Sequence, residues 1–246
     1  MRIMLAAAAL AAGVAPACAF AEDAKPDQHA YVDKAPAANV HTEAPSDLKV
    51  GFGVSAATDY VWRGVSQSDQ KPAVFATVSL GYKGLYAGAG TENVRFAGIS
   101  QEYDLWGGYV ANLGPAKLDI GFVRYGYVDA PVKIDTLEAK AALSTSVGKL
   151  GLKAAGYYTG NYFGSHHHAV YAELGASYPL TDKLTASAAV GHQDVRDAFN
   201  YTTWNAGVSY AVMKGATLAV RYHDTDATFI GRKAKARLVG SFSLAF

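Results

Sequence analysis

From Leu48 onward apolar and polar residues alternate with a period of two, the pattern of strands with two unlike faces. The final residues show it plainly: Phe246, Leu244, Phe242, Gly240 and Leu238 share one face, and Ala245, Ser243, Ser241, Val239 and Arg237 share the other. Further apolar faces are Val74, Ala76, Val78 and Leu80; Leu137, Ala139, Ala141 and Leu143; and Trp204, Ala206, Val208, Tyr210 and Val212. Their alternate positions are small or polar, among them Thr77, Ser79, Glu138, Lys140, Thr203, Asn205 and Ser209. The pattern predicts about twelve segments, near 48–63, 72–82, 85–96, 101–112, 116–127, 135–147, 150–160, 168–178, 183–193, 201–212, 216–224 and 233–246. Most match the ~9 to 11 residues of a tilted membrane strand.

The connections alternate too. Short turns at Lys83-Gly84, 113–116, 148–149, 179–182 and 213–215 interleave with longer segments near 64–71, 129–134, 161–167, 194–200 and 225–232, the brief 97–100 excepted. Short turns on one rim, longer loops on the other and an even strand number define a transmembrane antiparallel up-and-down β-barrel over residues 48–246, with both ends on the short-turn side.

Composition narrows the setting. Residues 1–21 combine a basic start, an apolar run and a small-residue ending, which reads as a cleaved secretory signal peptide. Residues 22–47, rich in Ala, Pro and Asp and without periodicity, are expected to be a disordered periplasmic segment. The single cysteine, Cys18, leaves with the leader, so disulfides contribute nothing to the mature chain. Without Arg2 the formal charge falls from +1 to zero, which argues against nucleic acid as a partner. After the leader no apolar run reaches the ~18 residues of a membrane helix, and the closed barrel is the remaining way to cross a bilayer. The expected location is the bacterial outer membrane.

Aromatic rings cluster near segment ends, where a bilayer boundary suits their mixed character. Tyr60, Trp62, Tyr178, Tyr210 and Phe246 are assigned to the lipid interface. If Tyr60 and Trp62 touch lipid, Asp59 and Arg63 point inward; by the same parity Glu102 and Asp104 do so on the fourth segment. Glu138, Lys140, Arg221 and Arg237 complete the expected pore lining, with Arg63, Lys140, Arg221 and Arg237 facing Asp59, Glu102, Asp104 and Glu138 across a narrow channel. Charges cost ~2 to 4 kcal/mol on a lipid face near the midplane and are tolerated in a wet lumen. This lining fits passive diffusion of small polar solutes. The rival arrangement is a salt-bridged plug that conducts nothing, in a structural or adhesive barrel.

The stretch Ser55 to Ala73, "SAATDYVWRGVSQSDQKPA", with "GLYAGAGTENVRF" from Gly84 and "QEYDLWGGY" from Gln101, resembles the TorF-like family of outer-membrane porins. The later half resembles it only in barrel pattern and aromatic ending. The resemblance implies an outer-membrane barrel of porin type, with its solute unassigned and no catalytic residues. Phe246, closing an alternating strand, resembles the signal read by the barrel-assembly machinery. The expected partners are therefore that machinery, outer-membrane lipid and small polar solutes.

Other chemistry is sparse. His166, His167 and His168 offer imidazoles to a transition metal, but adjacent strand-mouth positions alternate faces, and a polar loop is the better reading. An outer-membrane lipid hydrolase would need a serine and an orienting group converging on His192 or His223, which no motif imposes. "GFGVSA" at Gly51 lacks the strand-turn-helix unit of a dinucleotide site, and "SVGK" at Ser146 spans a tight turn. No catalytic residue, metal or cofactor is expected.

Overall fold

A computed structural model describes residues 48–246. The signal peptide expected at 1–21 and the disordered segment expected at 22–47 lie outside the described residues. The chain forms β1 (Leu48–Ala57), a short hairpin of β2 (Val61–Trp62) and β3 (Val65–Ser66), then β4 (Ala73–Tyr82), β5 (Leu85–Phe96), β6 (Ile99–Leu113), β7 (Ala116–Tyr127) and β8 (Thr136–Val147). It continues through β9 (Leu150–Thr159), β10 (Ala169–Pro179), β11 (Leu184–Val195), β12 (Phe199–Met213), β13 (Ala216–Thr225) and β14 (Arg237–Ala245). All but β2 and β3 form one closed antiparallel barrel of sequence neighbours, as the alternation and turn lengths predicted.

Closure joins β1 to β14, with Gly53 opposite Ala245 and Ala57 opposite Ser241. At the short-turn rim Phe52 N–H donates to Phe246 O at 3.1 Å and Phe246 N–H donates to Phe52 O at 3.0 Å. The terminal residue thus takes part in the last rung of the seam. A membrane barrel needs this because an open edge has no water to satisfy it.

Parity sorts the wall. On β4, Val74, Ala76, Val78, Leu80 and Tyr82 face out while Ala73, Phe75, Thr77 and Ser79 face in; on β12, Trp204, Ala206, Val208 and Tyr210 face out while Thr203, Asn205 and Gly207 face in. The outside carries the apolar band of a membrane-spanning barrel. Tyr82, Tyr109, Tyr178, Tyr210 and Phe246 lie exposed toward the short-turn rim, and Tyr158, Trp204 and Tyr222 toward the opposite rim.

Two expected boundaries move. The first wall strand ends at Ala57 rather than near residue 63, and the last begins at Arg237, because residues 228–234 form a short 3-10 segment on the rim. Residues 58–72 leave the wall and fold into the barrel, where Tyr60 and Trp62 are 1% and 0% exposed. Their assignment to the lipid interface is therefore overturned. The cause is the turn Arg63-Gly64, with φ of 45° and 79°, which closes β2 on β3. Consecutive positive φ values match the twist of a tight hairpin. A hairpin preserves the period of two, so alternation alone does not reveal that the chain has turned inward. Tyr86, Tyr125, Tyr127, Tyr157 and Tyr201, also near segment ends, are buried inside as well.

The inserted segment gives the barrel an internal core. Tyr60 and Trp62 pack with Phe75, Phe96, Trp106, Tyr125, Tyr127, Tyr162 and Phe163, the last two brought in from the loop between β9 and β10. Trp62 meets the rings of Tyr125 and Phe163 edge-on at 6.4 and 6.1 Å. Such pairs contribute roughly 0.5 to 1.5 kcal/mol beyond area burial.

The parity of the wall makes a direct prediction. Val220→Arg, at the outward middle of β13, should destabilise the barrel by about 2 to 4 kcal/mol. Urea unfolding in lipid vesicles measures it, with Val220→Leu as the near-neutral control.

Candidate functional site

The site is built around the tip of the inserted hairpin. Gly64 lies against the inner wall at β12 and β13: a Cβ there would come within 2.5 Å of Thr203 Oγ1 and 2.9 Å of Thr225 Cβ, at a φ that already favours glycine. The hairpin therefore stops against β12 and β13, while the Arg63 side chain beside its tip reaches across to β8 and β11. Thr203 and Thr225 face each other across that strand pair.

Arg63, one residue before the tip, is 1% exposed. Its Nη1 donates to Glu138 Oε1 at 3.0 Å and to Gln193 Oε1 at 2.7 Å, and its Nη2 donates to Glu138 Oε2 at 2.7 Å. Tyr125 Oη donates to the same carboxylate at 3.2 Å. The guanidinium carbon lies 4.1 Å from the Trp62 ring centroid and 4.2 Å from that of Tyr171. A planar cation with a fixed fork suits both demands at once, stacking on rings while binding a carboxylate at two points.

The other expected lining residues divide into separate groups. At the loop rim Asp59 Oδ2 accepts from Arg237 Nη1 at 2.8 Å and Asp59 Oδ1 accepts from Ser66 Oγ at 2.6 Å. Nearer the short-turn rim Lys140 pairs with Asp119, whose other oxygen accepts from Tyr86 Oη at 2.6 Å. Arg221 donates to Asn205 and Ser187. Glu102 and Asp104 lie inward, as parity required, but group with Glu92 on β5. Of the cations expected to face carboxylates, Arg63 meets Glu138 and Arg237 meets Asp59, whereas Lys140 pairs with Asp119 and Arg221 bonds Asn205 and Ser187, each contact offsetting desolvation locally.

Sequence reasoning placed Gln193 on the polar face of its segment without assigning it to the site, and did not anticipate Glu92 or Tyr171. Their signal was available in parity: Gln193 continues the inward Thr185, Ser187 and Ala189 positions of β11, and Glu92 the inward phase of Tyr86 on β5. Their partners on distant strands were not available.

Above the hairpin, Asp69 pairs with Arg232, joining the inserted segment to the 3-10 segment of the loop between β13 and β14. The Arg232 hydrogen bond holds the Asp69 carboxyl below its usual range. The contact is complete above the ordinary carboxylate pKa and is lost as pH falls through the lowered value.

The histidines assemble no site of their own. His168 Nδ1 lies 2.9 Å from Tyr158 Oη, and among the described residues the three adjacent imidazoles form no metal-ligand group. His192 lies on the outer wall beside Thr202 Oγ1, whereas His223 faces inward and is buried.

Fold and site together define a membrane-spanning barrel whose loop-side interior is occupied by its own first loop. The chain belongs to the family described as "Bacterial protein of unknown function (Gcw_chp)", whose model matches residues 41–241. No curated protein matches it in sequence. Among solved structures it is similar to KdgM porin, with a TM-score of 0.57 at 9% identity over 80% of this chain and 99% of that one. It is similar also to NanC porin, with a TM-score of 0.57 at 10% identity over 79% of this chain and 98% of that one. At these identities the likeness establishes the fold.

The Arg63–Glu138 pair yields a thermodynamic cycle. Arg63→Ala or Glu138→Ala alone should cost about 3 to 5 kcal/mol, since each leaves a buried charge without its partner, and the double variant should cost clearly less than the sum. Denaturant unfolding of the four proteins in micelles gives the coupling; additive losses would show the pair to be uncoupled.

Proposed function

We propose that this protein is a bacterial outer-membrane channel for passive diffusion of small polar solutes, constricted by the hairpin at Arg63. The observation that carries the reading is an inner wall with ionisable residues at every depth. Arg237 and Asp59 lie near the loop rim, Arg63 and Glu138 below them, and Lys140, Asp119, Arg221 and Lys153 toward the other end. A wall that serves only to fill a core would avoid the desolvation cost of so many charges. The solved porins of similar fold and the resemblance of the first loop to TorF-like porins support the same reading.

The inward carboxylates Asp59, Glu92, Glu102, Asp104, Asp119, Glu138 and Glu173 are matched in number by the inward cations Lys49, Arg63, Lys117, Lys140, Lys153, Arg221 and Arg237. One solved KdgM porin is described as in complex with disordered oligogalacturonate. The even balance of charge here supports no strong preference for solutes of either sign. Outer-membrane lipid contacts the apolar band, Tyr178, Tyr210 and Phe246 sit at the interface, and Phe246 also presents the closing strand to the barrel-assembly machinery. The chain works without a cofactor and is not an enzyme.

The inserted hairpin also favours a second reading, a barrel held shut by its own loop. Conductance separates the two. In planar bilayers the refolded protein should give small discrete steps, and Gly64→Val, which crowds the hairpin off Thr203 and Thr225, should give larger ones. Complete silence from both proteins at every voltage would remove the channel reading. Silence from the native chain with steps from Gly64→Val would establish the shut barrel.

A further inference from the structure

We propose that Glu92, Glu102 and Asp104 form a lumenal binding site for a divalent cation, with the chemistry of a calcium site. Glu92 on β5 stands directly opposite Glu102 on β6, and Asp104 follows two residues later on the same inward face. All three are at least nine-tenths buried. One oxygen from each can be chosen so that all lie within 4.8 Å of one another. Oxygens bound to one Ca2+ at ~2.4 Å are at most ~4.8 Å apart, so the spacing admits that ion, and a set of protein carboxylates suits Ca2+ better than Mg2+, which keeps most of its waters. A hard divalent ion is the kind of ligand that three converging carboxylates suit.

A second observation points to a ligand. Tyr127 lies opposite Glu102 in the β6–β7 register, and its buried hydroxyl makes no hydrogen bond. Ca2+ takes about six to eight oxygen ligands. Three carboxylates leave positions for water, and a bound water is the partner that the Tyr127 hydroxyl lacks. Tyr60 Oη, carried in by the inserted segment, lies 3.4 Å from both Glu102 oxygens. A cation here would sit where that segment meets the wall, and binding it requires only the folded barrel.

Terbium luminescence tests the site, because Trp106, two residues beyond Asp104 on the same face, and the two tyrosines can sensitise a bound lanthanide. The full chain, refolded in micelles and stripped of metal, should show saturable Tb3+ emission that Ca2+ displaces at about tenfold lower concentration than Mg2+. Glu102→Gln combined with Asp104→Asn should abolish the emission while retaining the heat-dependent gel mobility of a folded barrel, and Glu92→Gln alone should weaken it. Absence of emission from the folded native chain together with no calorimetric heat on adding Ca2+ would overturn the proposal, as would emission unchanged in the double variant. Displacement by Mg2+ as readily as by Ca2+ would overturn the calcium assignment. Conductance is read separately, so a barrel that conducts without binding cation loses this site and keeps its channel.

Discussion

The structure depends on one rule: no backbone amide may be left facing hydrocarbon. Inside a bilayer there is no water to take up an unpaired N–H or C=O, so a sheet that spans it must close on itself. Here closure is the pairing of β1 with β14, continued to the short-turn rim by the exchange between Phe52 and Phe246. Once the seam is made, each strand has neighbours on both sides and its two faces meet different media. The outward positions can then be Val, Leu, Ala and aromatic, while the inward ones are free to be Glu, Lys, Arg, Ser and Thr.

A barrel of twelve strands is intermediate between the small barrels that side chains fill and the wide ones that leave an aqueous channel. This chain resolves the matter unevenly. On the loop side the hairpin, with Tyr162 and Phe163 from the neighbouring loop, makes a packed aromatic core inside the wall. Toward the other rim the inward residues are smaller, including Ser177, Thr185, Thr217 and Ser243. The constriction is therefore carried by a loop, and a loop can be altered without opening the hydrogen-bonded seam.

Charge inside the wall follows the same logic of local compensation. Arg63 is satisfied by Glu138, Gln193 and two aromatic faces, Arg237 by Asp59, and Lys140 by Asp119. A lysine in place of Arg63 would keep the charge but lose both the two-point contact with Glu138 and the stacking between Trp62 and Tyr171. Glu92, Glu102 and Asp104 bring three carboxylates together on one stretch of the inner face.

The linear order of residues was sufficient for the wall. Alternation from Val74 to Leu80 or from Trp204 to Val212 states which side meets lipid, because a strand's side chains change face at each step regardless of its neighbours. Turn lengths gave the up-and-down order and the strand number for a similarly local reason. The path of residues 58–72 was different. Tyr60, Trp62 and Arg63 alternate as a wall strand would, and only the fit of Gly64 against Thr203 and of Arg63 onto Glu138 and Gln193 turns them inward. Those partners lie 75 and 130 residues away from Arg63 in the chain. Periodicity is a property of neighbours along the chain, while the contents of the lumen are decided by which distant strands the closed cylinder brings face to face.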